Sequence, residues 1–270
     1  MNTRIQHYDL DEYSIDKFRD EGHVCLCDVG QAHELEPFRM AVNEATEKQG
    51  GVDIPLEERD TYGKAFQQHM NLWEIDDRVK EFILNPRYGK IAADLLGVNG
   101  VRIYHDQALY KEPGGGPTPW HQDQYYWPVT GSTITMWMPL VDISVDMGML
   151  TFASRSHTEG YLGTLPISDE SDEIFARYVR DKNFEVTRQS SMKAGDATFH
   201  NGWILHSAPG NSSQEMREVM TVIWVADGSS VTEPINDNQA ADLARWLPGL
   251  HPGDSVNSKL NPVSYKRDET

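Results

Sequence analysis

Three side chains in this sequence have the types and spacing to hold a transition metal. His121 and Asp123 stand two apart in Trp120-His121-Gln122-Asp123. Side chains at i and i+2 of a strand point to the same face, so a strand over 120–126 would present an imidazole nitrogen and a carboxylate oxygen to one point. A second His would complete a 2-His-1-carboxylate face, which holds Fe(II) and leaves positions open for other ligands. Two candidates, His200 and His206, share parity in the run from Gly195 to Ser207. Arg217 follows His206 by eleven residues and His200 by seventeen, inside the β-prone run Met216 to Trp224. A guanidinium buried at the mouth of a barrel needs a carboxylate, which its planar fork matches bidentately. That carboxylate belongs either to a protein Asp or Glu or to a bound small molecule.

This order of motifs resembles the phytanoyl-CoA dioxygenase family of Fe(II)- and 2-oxoglutarate-dependent oxygenases, in which an HxD motif, a distal His and an Arg ten or eleven residues beyond it follow one another. The resemblance covers roughly Ser14 to Gly228 and extends to Gln107, to the Trp137 strand and to Ser154-Arg155-Ser156-His157. It implies His121, Asp123 and His206 as iron ligands, with His200 supporting the site through a hydrogen bond. It also implies 2-oxoglutarate and O2 as co-substrates. Arg217 would receive the distal carboxylate of 2-oxoglutarate, and Gln107, Trp137, Thr135 and Ser207 would lie along that co-substrate. In many relatives a Ser two positions after the distal His contacts it; here that position is Ala208, with Ser207 beside the His. Tyr125, Tyr126 and Trp127 would wall the open metal position with apolar surface. Tyr62 and Phe66 fall in a segment that often contributes to the substrate pocket. Ordinary core or loop packing is the alternative for each of these residues.

The reaction implied is oxidation of an unactivated C–H bond in a small organic molecule, most directly hydroxylation, with succinate and CO2 as co-products. Asp123 fills the position that related halogenases leave to halide, which argues against halogenation. One alternative is a natural-product tailoring oxygenase that cyclises, epimerises or desaturates. Another is a metal-binding jelly roll that acts as a hydrolase, isomerase or binding module; it would pair Arg217 within the protein and would not bind 2-oxoglutarate.

The elements around these residues predict a mainly β protein with flanking helices. Short β runs bounded by Gly, Pro, Asp and Ser fall near 101–111, 120–126, 131–140, 147–153, 183–190, 196–200, 203–208 and 217–227. Together with the family resemblance they imply a double-stranded β-helix, the jelly roll or cupin-like barrel. One oxygenase domain over 1–270 is expected: a mostly helical part to residue 99, a core over 100–228 with a helical insert near 168–182, and a C-terminal wrap of loops and one short helix over 229–270. In the first part, a polar arm at 1–13 leads to a helix capped by Ser14. A strand over 23–29, a helix from Ala32 to Gln49, an irregular stretch over 52–72 and two helices, 73–84 and 86–96, follow. Pro86 divides the last two because it lacks a helical donor. Gly114-Gly115-Gly116 has no following Lys-Ser/Thr and reads as a turn, not a phosphate loop.

Composition narrows the partners. A formal charge of −18 over 270 residues argues against nucleic acid or an anionic membrane surface and favours a neutral or cationic small molecule. Cys25 and Cys27 are the only cysteines; two apart on a strand, they are poorly placed to bridge and read as buried free thiols in a reducing cytoplasm. Early acidic residues and the lack of any apolar run of ~18 residues predict neither a signal peptide nor a membrane span. A cytoplasmic monomer or homodimer is expected.

Overall fold

The computed structural model describes residues 8–50 and 54–267; the first seven residues of the expected polar arm and the start of the 52–72 stretch lie outside them. The N-terminal part contributes α1 (Glu12–Glu21), β1 (His23–Leu26), α2 (Ala32–Gln49), α3 (Thr61–Ala65), β2 (Gln67–Met70), α4 (Asp77–Ile83) and α5 (Pro86–Leu96). Asp11, not Ser14, caps α1: its carboxylate accepts from the Ser14 N–H at 2.7 Å, so Ser14 is inside the helix. Pro86 is the first residue of α5, where a missing N–H costs nothing.

The strands that follow are β3 (Gly100–Lys111), β4 (Thr118–His121), β5 (Thr133–Pro139), β6 (Ile143–Ser144) and β7 (Thr151–Ala153). After helix α6 (Asp169–Asp181) come β8 (Val186–Arg188), β9 (Ser191–Met192), β10 (Ala197–Asn201), β11 (His206–Ala208) and β12 (Arg217–Ala226). Helix α7 (Asp237–Trp246) and β13 (Val263–Lys266) close the chain. The pairings are antiparallel, in a large sheet ordered β1-β10-β5-β12-β3-β13 with β2 also on β3, a smaller sheet β4-β11-β7-β8, and a β6-β9 pair. This is the jelly roll expected, with helices on the outside of the large sheet. The C-terminal wrap holds a strand the sequence did not announce, β13, which pairs with β3.

Side-chain parity on the large sheet separates two environments. Ile134, Met136 and Met138 of β5 and Met220, Val222 and Trp224 of β12 pack with Leu35, Phe38, Val42, Phe82, Tyr88 and Ile91 of the helices. The alternate residues Thr135 and Trp137 of β5 and Thr221 of β12 turn inward to a cavity. Covering a sheet on both faces removes the polar-out alternation that marks a solvated strand, and every residue of β5 is buried.

Two expectations are corrected here. The strand over 120–126 stops at His121, and Asp123–Tyr126 form a 3₁₀ turn, so His121 and Asp123 do not share a strand face. The cysteines are not both buried: Cys25 is half-buried and Cys27 exposed, because β1 is an edge strand that ends at Leu26 and the chain turns at Asp28, whose φ is 54°. Among the described residues, no helix is long and apolar enough to cross a membrane.

Asp106 of β3 gives a first prediction. It has no exposed surface and accepts the N–H groups of Leu72 at 3.0 Å and Trp73 at 3.2 Å, tying that turn to the sheet. Burial pushes its carboxyl from the usual 3.8 up to about 7, against the two N–H groups that favour the charge. Between those values the folded protein keeps a proton that the unfolded chain has lost, so this contribution to stability is full at low pH and is lost as pH rises through about 7. At ~1.4 kcal/mol per pKa unit the whole swing is at most about 4 kcal/mol. Denaturation midpoints measured from pH 4 to 8 should fall less steeply in Asp106→Asn than in the wild type; parallel curves would sink the assignment.

Candidate active site

The sequence brings His121 and His206 together through strand pairing. They are register partners across β4 and β11, with ring centroids 4.1 Å apart. His121 Nδ1 lies 2.8 Å from the Pro119 carbonyl and His206 Nδ1 3.1 Å from that of Ile204. A carbonyl only accepts, so each Nδ1 carries the hydrogen, and each Nε2 is left with a lone pair. Both Nε2 atoms sit 3.5 Å from Asp123 Oδ1, and the three groups offer ligand atoms within 4.8 Å of one another.

Asp123 reaches this point from its turn because both neighbours are pinned. Gln122 donates to the carbonyls of Gly160 at 2.8 Å and Trp203 at 2.6 Å and accepts from Leu162 N–H at 3.1 Å. Gln124 accepts from Thr133 N and Oγ1, each at 3.1 Å, and its own N–H bonds the Gly202 carbonyl at 2.9 Å. Gly202 must be glycine: an added Cβ would lie 2.0 Å from Thr133 Oγ1.

The second carboxylate oxygen is also held. Thr135 Oγ1 donates to Asp123 Oδ2 at 3.1 Å, and His200 Nε2 lies 3.2 Å from the same atom. Because the carboxylate accepts, His200 carries its hydrogen on Nε2; its Nδ1 is buried without a partner. His200 and Thr135 are register partners on β10 and β5, so His200 belongs to the large sheet and His206 to the small one. Thr135 thus donates its hydroxyl hydrogen to Asp123 while it also lines the cavity beside the cluster. Burial opposes the charge on Asp123, yet its carboxyl is held well below the usual range, in part by the Nε2 hydrogen that His200 directs at Oδ2. Burial and the nearby His121 hold His206 well below its ordinary value, hence neutral. Two imidazole lone pairs and one carboxylate oxygen, with no proton between them, form the donor set of a divalent transition metal.

A cavity of about 450 Å³ opens beside these groups, within the size range of small-molecule sites. Arg217 lines it, 2% exposed, with its guanidinium carbon 5.4 Å from the Trp137 ring centroid. One Nη donates to the Gly148 carbonyl, Nε has no partner, and among the described residues no carboxylate pairs with it. Burial pushes its pKa down to about 9. The described residues offer this guanidinium no acid, so the cavity is where an anion would meet it. Gln107 lines the cavity and accepts from Gln68 Nε2 at 2.7 Å. Tyr62, Phe66, Tyr126 and Trp127 line it too.

Two expected residues do not. Ser207 points away from the cavity, where Ala208 takes the lining position, because alternate residues of β11 face opposite sides. Tyr125 is buried under α7, its hydroxyl accepting from Asn238 Nδ2 at 3.0 Å and its carbonyl from Gln239 Nε2 at 3.0 Å. It anchors that helix to the turn carrying Asp123. Sequence reading expected a short helix in the C-terminal wrap but did not assign it to the site; that helix, α7, presents Asn238, Ala241, Asp242 and Arg245 to the cavity. Their i, i+3, i+4, i+7 spacing was visible, but nothing in the chain ties a helix at 237–246 to a site more than a hundred residues earlier. Burial raises the Asp242 carboxyl to about 7, although Tyr104 donates to it at 3.1 Å.

Comparison with known proteins gives the same answer. The family model for phytanoyl-CoA dioxygenase matches residues 14–219. Phytanoyl-CoA dioxygenase domain-containing protein 1 of Danio rerio is 24% identical over 285 residues, covering 86% of this chain and 96% of that protein. The 2-oxoglutarate-dependent carbocyclase SnoK of nogalamycin biosynthesis superposes with a TM-score of 0.77 at 23% identity, over 94% of this chain and 96% of its own. The epimerase SnoN, solved with Fe3+, 2-oxoglutarate and nogalamycin RO, also scores 0.77, at 22% identity over 94% of this chain and 98% of its own. The likenesses in fold agree with the family match, and that match, which covers most of both sheets and the His-Asp-His cluster, places the protein in the phytanoyl-CoA dioxygenase family, as a non-haem iron oxygenase dependent on 2-oxoglutarate.

Proposed function

We propose that this oxygenase hydroxylates an unactivated C–H bond of a small, neutral or cationic organic molecule. One observation carries the reading: two Nε2 lone pairs and Asp123 Oδ1 converge beside a cavity into which a buried guanidinium without an acid partner projects. His121, Asp123 and His206 would hold Fe(II), with Thr135 and His200 fixing the carboxylate's direction. When bound, iron with 2-oxoglutarate and O2 supplies an oxidant strong enough for such a bond, releasing succinate and CO2. The chain's own task is placement and dryness. Arg217 takes the distal carboxylate of 2-oxoglutarate, and Trp137 flanks it. Tyr62, Phe66, Tyr126 and Trp127 shape the substrate's space and keep water from it. Asp242 and Asn238 on α7 and Gln68 on β2 supply polar contacts that suit a hydroxyl or amine better than a polyanion. We read the whole chain as one oxygenase unit working in the cytoplasm, in which the N-terminal helices brace the large sheet.

The test is turnover of candidate substrates under labelled O2. Hydroxylation predicts one succinate for each product and one labelled oxygen in that product. A second reading, ring closure or epimerisation, draws support from the fold shared with a carbocyclase and an epimerase; it predicts succinate formation with no labelled oxygen in the organic product. Absence of 2-oxoglutarate consumption with every substrate and without substrate would defeat both.

A further inference from the structure

A chain of hydrogen bonds runs along one wall of the cavity and ends on an imidazole that the metal site does not use. Tyr62 of α3 donates its phenol hydrogen to Gln68 Oε1 at 2.8 Å. Gln68 Nε2 donates to Gln107 Oε1 at 2.7 Å, and Gln107 Nε2 lies 3.4 Å from His105 Nδ1. All four residues line the cavity. Strand β2 brings Gln68 against β3, where His105 and Gln107 stand two apart on one face. His105 is 1% exposed, and its ring is fixed among those of Tyr104, Trp127 and Trp246, with centroids 5.1, 5.8 and 5.5 Å away.

The direction of the chain follows from the chemistry of its members. A phenol is a good donor and a poor acceptor, because its lone pair is shared with the ring; an amide oxygen and a neutral imidazole nitrogen accept better. Tyr62 therefore gives its hydrogen to Gln68, which orients that amide and then the next, so that an N–H of Gln107 meets His105 Nδ1. Burial, with Arg245 adding to it, holds this imidazole down to about 3 against the pull of Asp123, so it is neutral. With Nδ1 accepting, the one ring hydrogen sits on Nε2, and among the described residues that N–H has no acceptor. A donor kept from water without an acceptor is costly, and this one belongs to a ring on a cavity that can receive one.

We propose that His105 determines specificity as a hydrogen-bond donor to the substrate: its Nε2–H takes an uncharged acceptor oxygen, a carbonyl or an ether oxygen, and Tyr62, Gln68 and Gln107 are positioning residues that hold the tautomer. The inference rests on the oxygenase reading of this cavity and narrows the substrate to molecules that carry such an oxygen. A substrate with an ammonium at that point would set hydrogen against hydrogen, which is how the chain rejects it.

The experiment uses the full chain with 2-oxoglutarate and with Zn(II) in place of iron, which keeps the spectrum diamagnetic. Nitrogen-15 NMR of the labelled histidines, with His105→Phe identifying its signals, should show His105 as the neutral Nε2–H tautomer from pH 5 to 8. Gln107→Leu should release it into a mixture with the Nδ1–H form, which loss of packing alone would not do. Titration with cyclohexanone should move the resonance of the Nε2 hydrogen, and cyclohexylamine, of like size but a cation with donors only, should not. By calorimetry, His105→Phe should weaken cyclohexanone about tenfold, the size of one lost hydrogen bond, and leave cyclohexylamine unchanged. Should His105→Phe not fold, His105→Leu serves both purposes. An Nδ1–H tautomer in the wild type, no shift with cyclohexanone, or equal loss of both probes in the variant overturns the proposal. A wild type that binds cyclohexanone but not 2-oxoglutarate overturns the oxygenase reading instead, and with it the substrate role of His105.

Discussion

His206→Ala is expected to remove Fe(II) binding and with it all 2-oxoglutarate turnover, whereas His200→Ala should keep a weakened site. The two residues share one stretch of chain and the same parity, yet their hydrogens are fixed differently. His206 Nδ1 is tied to a carbonyl, which leaves Nε2 as a bare donor facing Asp123 Oδ1. His200 must give its Nε2 hydrogen to Asp123 Oδ2. The first is placed to bind metal and the second to orient the carboxylate that does. Losing an outer-shell partner of this kind costs ~10–100-fold in metal affinity or activity, and losing one of three protein ligands costs more. Anaerobic calorimetry with Fe(II), paired with succinate release, separates the two. If His200→Ala abolishes metal binding while His206→Ala retains it, the ligand set is wrong.

Arg217→Met should lower 2-oxoglutarate affinity by ~10²–10³-fold, as expected from removing two charge-assisted hydrogen bonds worth about 1.5–3 kcal/mol each with some recovery by water. Fe(II) affinity should not change, because Arg217 touches none of the candidate ligands. Arg217→Lys should fall between, keeping the charge but losing the fork. Stability supplies an independent check. In the free protein the guanidinium is buried without an acid, and burial has pushed its pKa down to about 9. Replacing such a group by an apolar side chain of similar length is neutral or stabilising. The free Arg217→Met protein should therefore melt no lower than the wild type, while the rise in midpoint on adding 2-oxoglutarate should shrink or vanish. A variant that melts much lower and still gains the full rise would show that Arg217 serves packing alone.

Much of this was written in residue types and order. The runs of β-formers after Gly100 specify strands whose lengths and turns are local properties, and His121, Asp123, His206 and Arg217 stand in an order that only a few architectures bring together. That Thr135 and Trp137 share a face followed from period two, while only the structure shows that this face turns to the cavity. The boundaries that failed were those set by contacts far along the chain. Nothing near Asp123 shows that Gln122 and Gln124 will draw it out of the strand onto the carbonyls of Trp203 and Gly202, some eighty residues away. Likewise Tyr125 and Tyr126 are equivalent in sequence; only α7, arriving from residue 237 onward, buries the first and leaves the second on the cavity.

The sequence by itself thus determined the chemistry's class: two imidazoles, a carboxylate and a guanidinium at spacings compatible with iron and a dicarboxylic 2-oxo acid. Tertiary structure decided which atoms are free to do that chemistry. Whether an imidazole nitrogen is a ligand or a hydrogen-bond donor depends on the carbonyl or carboxylate opposite it. Whether Arg217 is structural or anion-binding depends on the absence of an acid among its described neighbours. Both are properties of pairs and vacancies in space, formed when β4 meets β11 and β3 meets β12, and a one-dimensional order of residues does not contain them.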